Sequence, residues 1–321
     1  MSKVKITRSL LLTALLVVSV LAMACPRLVV EEPPAEEKIG VIVSILPLAD
    51  FVENIGGERV AVTVMVPPGA DPHTFAPTPG QLLEVSKAKI FIKVGAGLKF
   101  EMVWMDKIIE QNREMLVVDS SHGIELMEMV AHDHHEEQEH KDEQHHEGKD
   151  HEEEHHDHYG MDPHIWFSPR NVMMMVQNIR DGLIKIDPEQ ADFYIENTER
   201  YLQELDALDR YIRERLDGFL NRYFLVYHPA FGYFARDYNL TQLAIEHEGK
   251  EPTPKVIMDV IDLAAEYNLS YVFVSPQYPV RHAEVIARAI NGQTALMDEL
   301  PRYFILSMRS MTDSLAREMM E

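Results

Sequence analysis

Apolar positions along the chain fall into two alternating textures. Short continuous runs closed by proline or glycine predict buried strands at Ile39–Leu46, Val60–Val66, Lys89–Val94 and Met115–Val118. Between them, helical spacing predicts helices at Leu48–Ile55, Gln81–Ser86 and Glu101–Asn112. This alternation predicts an α/β lobe with a mostly parallel sheet. After Ser168-Pro169 the texture changes. Asn171–Ile186 reads as a helix, and Pro188 opens a longer one whose apolar residues Tyr201, Leu205, Leu208, Ile212 and Leu216 keep a spacing of three or four. At 1.5 Å per residue, a helix from Pro188 to about Asp217 spans roughly 45 Å. The first texture then returns. Strands are predicted at Tyr223–Tyr227, Leu240–Glu246, Ser270–Val274 and Gln293–Met297, with helices at Pro254–Tyr267, Val280–Ile290 and from Tyr303 onward. The pattern predicts two similar α/β lobes, 39–168 and 219–321, joined through a helical connection, 169–218, with one long backbone helix.

Charge narrows the function. The net charge of -23 comes from 53 acidic and 30 basic residues and argues against a nucleic-acid partner. Much of the excess is local: Ala131–His158 holds twelve acidic residues against Lys141 and Lys149. With no apolar residue between His132 and Tyr159, this stretch predicts a disordered loop inside the first lobe.

The N-terminus has the pattern of an export signal over residues 1–24. Lys3, Lys5 and Arg8 precede the apolar run Leu10–Leu21, and Ala22-Met23-Ala24 supplies small residues for cleavage. The run is too short for a typical membrane-spanning helix. Cys25 is the single cysteine, so no internal disulfide forms. Its position directly after the signal predicts lipidation and a membrane tether. Residues 25–38, with Pro33, Pro34 and several glutamates, then form an exposed spacer. The expected location is outside the cytoplasm.

Histidine supplies the candidate chemistry. The acidic loop contains His132, His134, His135, His140, His145, His146, His151, His155, His156 and His158. Imidazole suits zinc, copper and nickel, so the loop predicts several weak, exchanging metal sites. His151-Glu152-Glu153-Glu154-His155 matches a zinc-protease pattern, but lacks the apolar helix face that such an enzyme needs. No enzyme is expected.

Three other histidines sit beside prolines, His73 and His164 in repeated Asp-Pro-His tripeptides and His228 before Pro229 at the end of a predicted strand. Prolines stiffen the backbone and reduce the entropy lost in holding a ligand. Asp71 and Asp162 are candidates to accept an imidazole N–H and fix its tautomer. The plain alternative is that each histidine is a hydrogen-bonded turn residue. The three lie too far apart in sequence for a local chelate, so only the fold can unite them.

Three longer blocks carry a resemblance: Gly69-Ala-Asp-Pro-His-Thr-Phe-Ala-Pro-Thr-Pro79, Met161-Asp-Pro-His-Ile-Trp-Phe-Ser-Pro169 and Tyr227-His-Pro-Ala-Phe-Gly-Tyr-Phe-Ala235. In order and spacing, from about Ile39 to the C-terminus, the chain resembles the periplasmic zinc- and manganese-binding proteins of ABC transporters, of the ZnuA/TroA type. That resemblance implies a metal site in the cleft between the lobes, with His73, His164 and His228 as ligands. It implies Asp298 as the fourth, although the proline usual after that aspartate is missing and Ser275 stands where the family has a glutamate. It further implies a monomeric binding protein that delivers metal to a membrane permease driven by a separate ATPase. No Walker motif occurs in this chain.

Three imidazoles are softer than a carboxylate-rich donor set, so Zn(II) is the expected cargo, with Mn(II) the alternative. A His-rich extracellular zinc buffer or adhesin is the other alternative. Protonation of the ligands is expected to weaken binding below about pH 6.

Overall fold

Residues 38–129, 160–246 and 251–320 are described in the computed structural model. The signal segment, Cys25 and the His-rich stretch 131–158 lie outside the described residues. In the N-terminal lobe, β1 (Ile39–Val43), β2 (Val60–Val64), β3 (Ile90–Lys93) and β4 (Leu116–Asp119) form a parallel sheet of order β2-β1-β3-β4. The C-terminal lobe repeats that plan, with β5 (Tyr223–Val226), β6 (Thr241–Ala244), β7 (Tyr271–Val274) and β8 (Gln293–Leu296) in parallel order β6-β5-β7-β8. The central strands are buried, as parallel strands covered on both faces are, and this is why they read as unbroken apolar runs. In each lobe the strand order reverses between the two central strands. Crevices outside the carboxyl ends of strands at such a reversal are where open α/β sheets place ligands.

The helices are α1 (Leu46–Gly56), α2 (Pro79–Val85), α3 (Lys99–Gln111), α4 (Pro169–Ile186), α5 (Ala191–Leu216), α6 (Gly232–Asp237), α7 (Pro254–Glu266), α8 (Arg281–Ala289) and α9 (Phe304–Glu318). The longest, α5, has 26 residues and reaches roughly 39 Å. It buries Tyr201, Leu205, Leu208, Ile212 and Leu216 along one face. That face packs against α1 of the first lobe and α9 at the end of the chain, with α4 beside it. One hydrophobic core therefore runs from strands of the first sheet through the long helix to Phe224 and Phe273 in the second.

Several boundaries differ from the sequence reading for local reasons. The first strand stops at Val43 instead of Leu46, because the Ser44 hydroxyl turns to bond Glu101 and Leu46 begins α1. Pro47 lies in the first turn of that helix, where its missing N–H costs no bond. The long helix proper starts at Ala191, with Pro188–Gln190 forming a separate 3-10 turn. α2 starts at Pro79, two residues early, because Thr78 and Gln81 form a reciprocal capping box. The short α6 went unread, since six residues are too few to show a helical period.

Candidate metal centre

Each of the three proline-flanked histidines leaves a different part of the fold. His73 follows β2 through the turn Pro67-Pro68-Gly69, where Gly69 has φ +77, a conformation that favours glycine. Asp71 does not reach an imidazole as expected. Its Oδ1 accepts the backbone N–H of His73 at 2.8 Å, and its Oδ2 accepts the Thr74 hydroxyl at 3.1 Å, which shapes the turn. His164 precedes the 3-10 turn Ile165–Phe167 that leads into α4. His228 lies two residues beyond the end of β5.

The fold brings these three together. Among the described residues, they form one group whose ligand atoms lie within 4.8 Å of one another. Nε2 of His164 and Nε2 of His228 are 3.4 Å apart. Two nitrogens on one tetrahedral zinc at 2.0–2.1 Å would be separated by roughly 3.3 Å. His164 and His228 are each 2% exposed, so those two rings are screened from solvent, while His73 is half-buried.

Their outer nitrogens are held by carboxylates. Nδ1 of His164 lies 2.7 Å from Asp162 Oδ1, which also accepts the backbone N–H of His164 at 2.9 Å. Nδ1 of His228 makes a short contact to Glu246. A carboxylate on Nδ1 holds the proton there and leaves the Nε2 lone pair for a metal. Nε2 of His73 is buried with no hydrogen-bond partner. Burial, reinforced by His228, His164 and Lys99, holds the His73 imidazole down at about 3. Burial also lowers His228, against the opposing pull of Glu246. Both imidazoles are thus biased toward the neutral form that binds metal.

Glu246 was missed in the sequence. Its position follows from strand register: Val226 of β5 pairs with Ala244 of β6, so two residues further along, His228 faces Glu246. The Glu246 N–H bonds the Tyr227 carbonyl at 2.8 Å and extends this register past the strand ends. Aromatic rings close the walls. Tyr278 stacks on His228 with centroids 4.9 Å apart, and Trp166 meets His164 edge-on at 5.3 Å.

Asp298, expected as the fourth ligand, is not in the converging group. Its Oδ1 accepts the Leu300 N–H at 3.0 Å and the Gln277 side-chain amide at 3.1 Å. The next residue, Glu299, is the buried one, at 5% exposed. Burial, and then the nearby Glu246, Asp298 and Asp71, raise its carboxyl well above the usual range.

Two parallel α/β lobes and three converging imidazoles, two of them steered by carboxylates, form a donor set suited to a borderline-soft cation. The chain belongs to the family described as ZnuA, zinc-uptake complex component A, periplasmic, whose model matches residues 41–318. It is 32% identical over 244 residues to the manganese-binding lipoprotein MntA of Halalkalibacterium halodurans, covering 74% of this chain and 71% of that one. It is 28% identical over 270 residues to the zinc-binding protein AdcA of Streptococcus pyogenes, covering 83% of this chain but only 51% of that longer relative. Among solved structures, a ZnuA deletion mutant with zinc bound superposes with a TM-score of 0.76 at 34% identity, covering 88% of this chain and 98% of that one.

Proposed function

We propose that this protein captures Zn(II) outside the cytoplasm and passes it to the permease of an ABC-type uptake complex, whose ATPase is a separate chain. His73, His164 and His228 take the ion through their Nε2 atoms, and Asp162 and Glu246 hold two of those rings in the required tautomer. The fourth position falls to Asp298, in the turn after β8, or to water. The observation that carries this reading is the convergence of three imidazoles with ligand atoms within 4.8 Å, two of them steered by buried carboxylates. It acts as a monomeric carrier, not an enzyme, and Cys25 tethers it to the membrane by a lipid. The His-rich segment 131–158 supplies weak auxiliary sites that raise the local zinc concentration.

Zinc is favoured over manganese because the converging donors are all imidazole, whereas manganese suits carboxylate and water. The likeness to MntA keeps manganese as the competing cargo. Equilibrium competition between the two ions tests this. The reading expects zinc to displace bound manganese at equal concentration. Retention of manganese under those conditions would reassign the cargo.

A further inference from the structure

His164 and His228 reach the centre from different lobes, and their Nε2 atoms stand 3.4 Å apart. The short helix α6 of the C-terminal lobe lies against the segment that carries His164. Three side chains make that contact. Phe231, just before the helix, packs on Phe167 with ring centroids 4.4 Å apart. Asp237, the last residue of the helix, accepts the Ser168 hydroxyl. Tyr233, its second residue, is fully buried and reaches Asp162 itself.

The Tyr233 hydroxyl does two things at once. It donates to the Asp162 carbonyl at 3.1 Å and accepts the Met127 N–H at 3.0 Å. Asp162 in turn donates its N–H to the Met127 carbonyl at 2.8 Å. One phenol from the C-terminal lobe thus closes a ring of hydrogen bonds with two backbone segments of the other lobe, using its single donor and one acceptor position. Burial pushes this phenol up to about 12, so it stays a donor wherever imidazole binds metal. A backbone held at that point leaves the Asp162 carboxylate little freedom. Its Oδ1 meets Nδ1 of His164 at 2.7 Å and the His164 N–H at 2.9 Å. Phenylalanine at 233 would keep the ring but deprive both the Met127 N–H and the Asp162 carbonyl of this partner.

Donors that are held in place before binding lose less entropy when the ion arrives. We propose that Tyr233 is a positioning residue of the metal centre: its hydroxyl seats Asp162, the carboxylate that steers His164, and so presets the spacing of His164 from His228. This rests on the proposed zinc-capture reading and adds to it the bond that aligns ligands from the two lobes. His228 and Tyr233 lie in one short stretch of chain, which therefore supplies one ligand and orients another.

The test is a competitive zinc titration against a chromophoric chelator, with Co(II) spectra at saturation. It compares wild type, Tyr233→Phe, Asp162→Ala, the double variant and Tyr194→Phe. Tyr194 is the control, another fully buried tyrosine, whose hydroxyl bonds Asp187. Tyr233→Phe should weaken zinc about tenfold, the low end of the loss when a ligand's outer partners are disturbed, and should shift the Co(II) bands. Tyr194→Phe should keep wild-type affinity and spectrum even if it melts lower. Once Asp162 has lost its carboxylate, Tyr233→Phe should add less than about twofold, because changes along one path do not add.

Wild-type affinity and spectrum in Tyr233→Phe would overturn the assignment, and so would an equal loss in Tyr194→Phe. A further loss of about tenfold on top of Asp162→Ala would do the same, since the hydroxyl would then act elsewhere. Should Tyr233→Phe fail to fold, amide exchange in the wild-type protein decides. Coupling is reciprocal, so zinc should slow exchange at the Met127 N–H, which ends on the Tyr233 hydroxyl. Exchange there that ignores zinc would refute the assignment. Failure of wild type itself to bind zinc tightly would instead refute the capture reading.

Discussion

Gly232 and Asp162 approach so closely that a Cβ added to the glycine would lie 2.6 Å from Asp162 Oδ2. The first residue of α6 thus leaves room for the carboxylate that steers His164. Gly232→Ala should push Asp162 off its ring nitrogen and weaken zinc about 10- to 100-fold, the usual effect of disturbing a metal ligand's outer partner. A chelator-competition assay reads this directly. Unchanged affinity would mean that Asp162 does not set the ligand's orientation.

Glu246 should matter in the same way for His228. Glu246→Ala leaves Nδ1 of a buried ring without its carboxylate and frees the imidazole to take the wrong tautomer. A loss of about 10- to 100-fold in zinc affinity is expected. The change should fall on affinity and not on the number of tight sites, which calorimetry distinguishes.

Acid acts on the metal-free fold in a defined direction. Burial holds the His73 imidazole down at about 3 in the folded protein, against 6.5 for an exposed imidazole. Between those values the unfolded chain carries a proton that the folded one does not, so stability falls as pH falls from about 6.5 toward 3. His228, also lowered, adds to the same slope. Melting temperatures with a chelator present should therefore drop on acidification, and His73→Gln should flatten the slope. An unchanged slope in that variant would contradict the burial argument.

The long helix should affect stability without touching the metal. Leu205 is fully buried on the inner face of α5, and Leu205→Ala should cost about 2–5 kcal/mol through lost burial and the remaining cavity. Denaturant unfolding measures the loss, and zinc affinity at low temperature should stay near wild type.

The described residues that flank the His-rich segment are tied together. Met129 donates its N–H to the Gly160 carbonyl at 2.8 Å, and Asp162 donates to the Met127 carbonyl at 2.8 Å. Replacing Ala131–His158 with a short linker should therefore leave His164 in place. Weak zinc sites should disappear from the titration while one tight site stays. Loss of the tight site would place the main binding in that segment.

Much of this architecture is legible in the sequence because parallel strands buried on both faces give unbroken apolar runs. The one-sided stripe from Tyr201 to Leu216 likewise marks the long helix. His73, His164 and His228 are visible because proline and aspartate neighbours mark them. Their partners are harder to see. Glu246 reaches His228 only through the register of two parallel strands, and Trp166, the ring beside His164, is held by the backbone carbonyl of Glu299, 133 residues away. Asp71 shows the opposite limit: both Asp-Pro-His aspartates accept the backbone N–H of their histidine, but only Asp162 also meets the ring. Sequence identifies the tripeptide, but the rotamer within it depends on what the fold packs against it.

The most direct measurement is a calorimetric zinc titration of the protein lacking Ala131–His158, beside the same protein carrying His73→Ala and His164→Ala. The account predicts one tight site in the first and none in the second. Tight binding that survives loss of both imidazoles would contradict it.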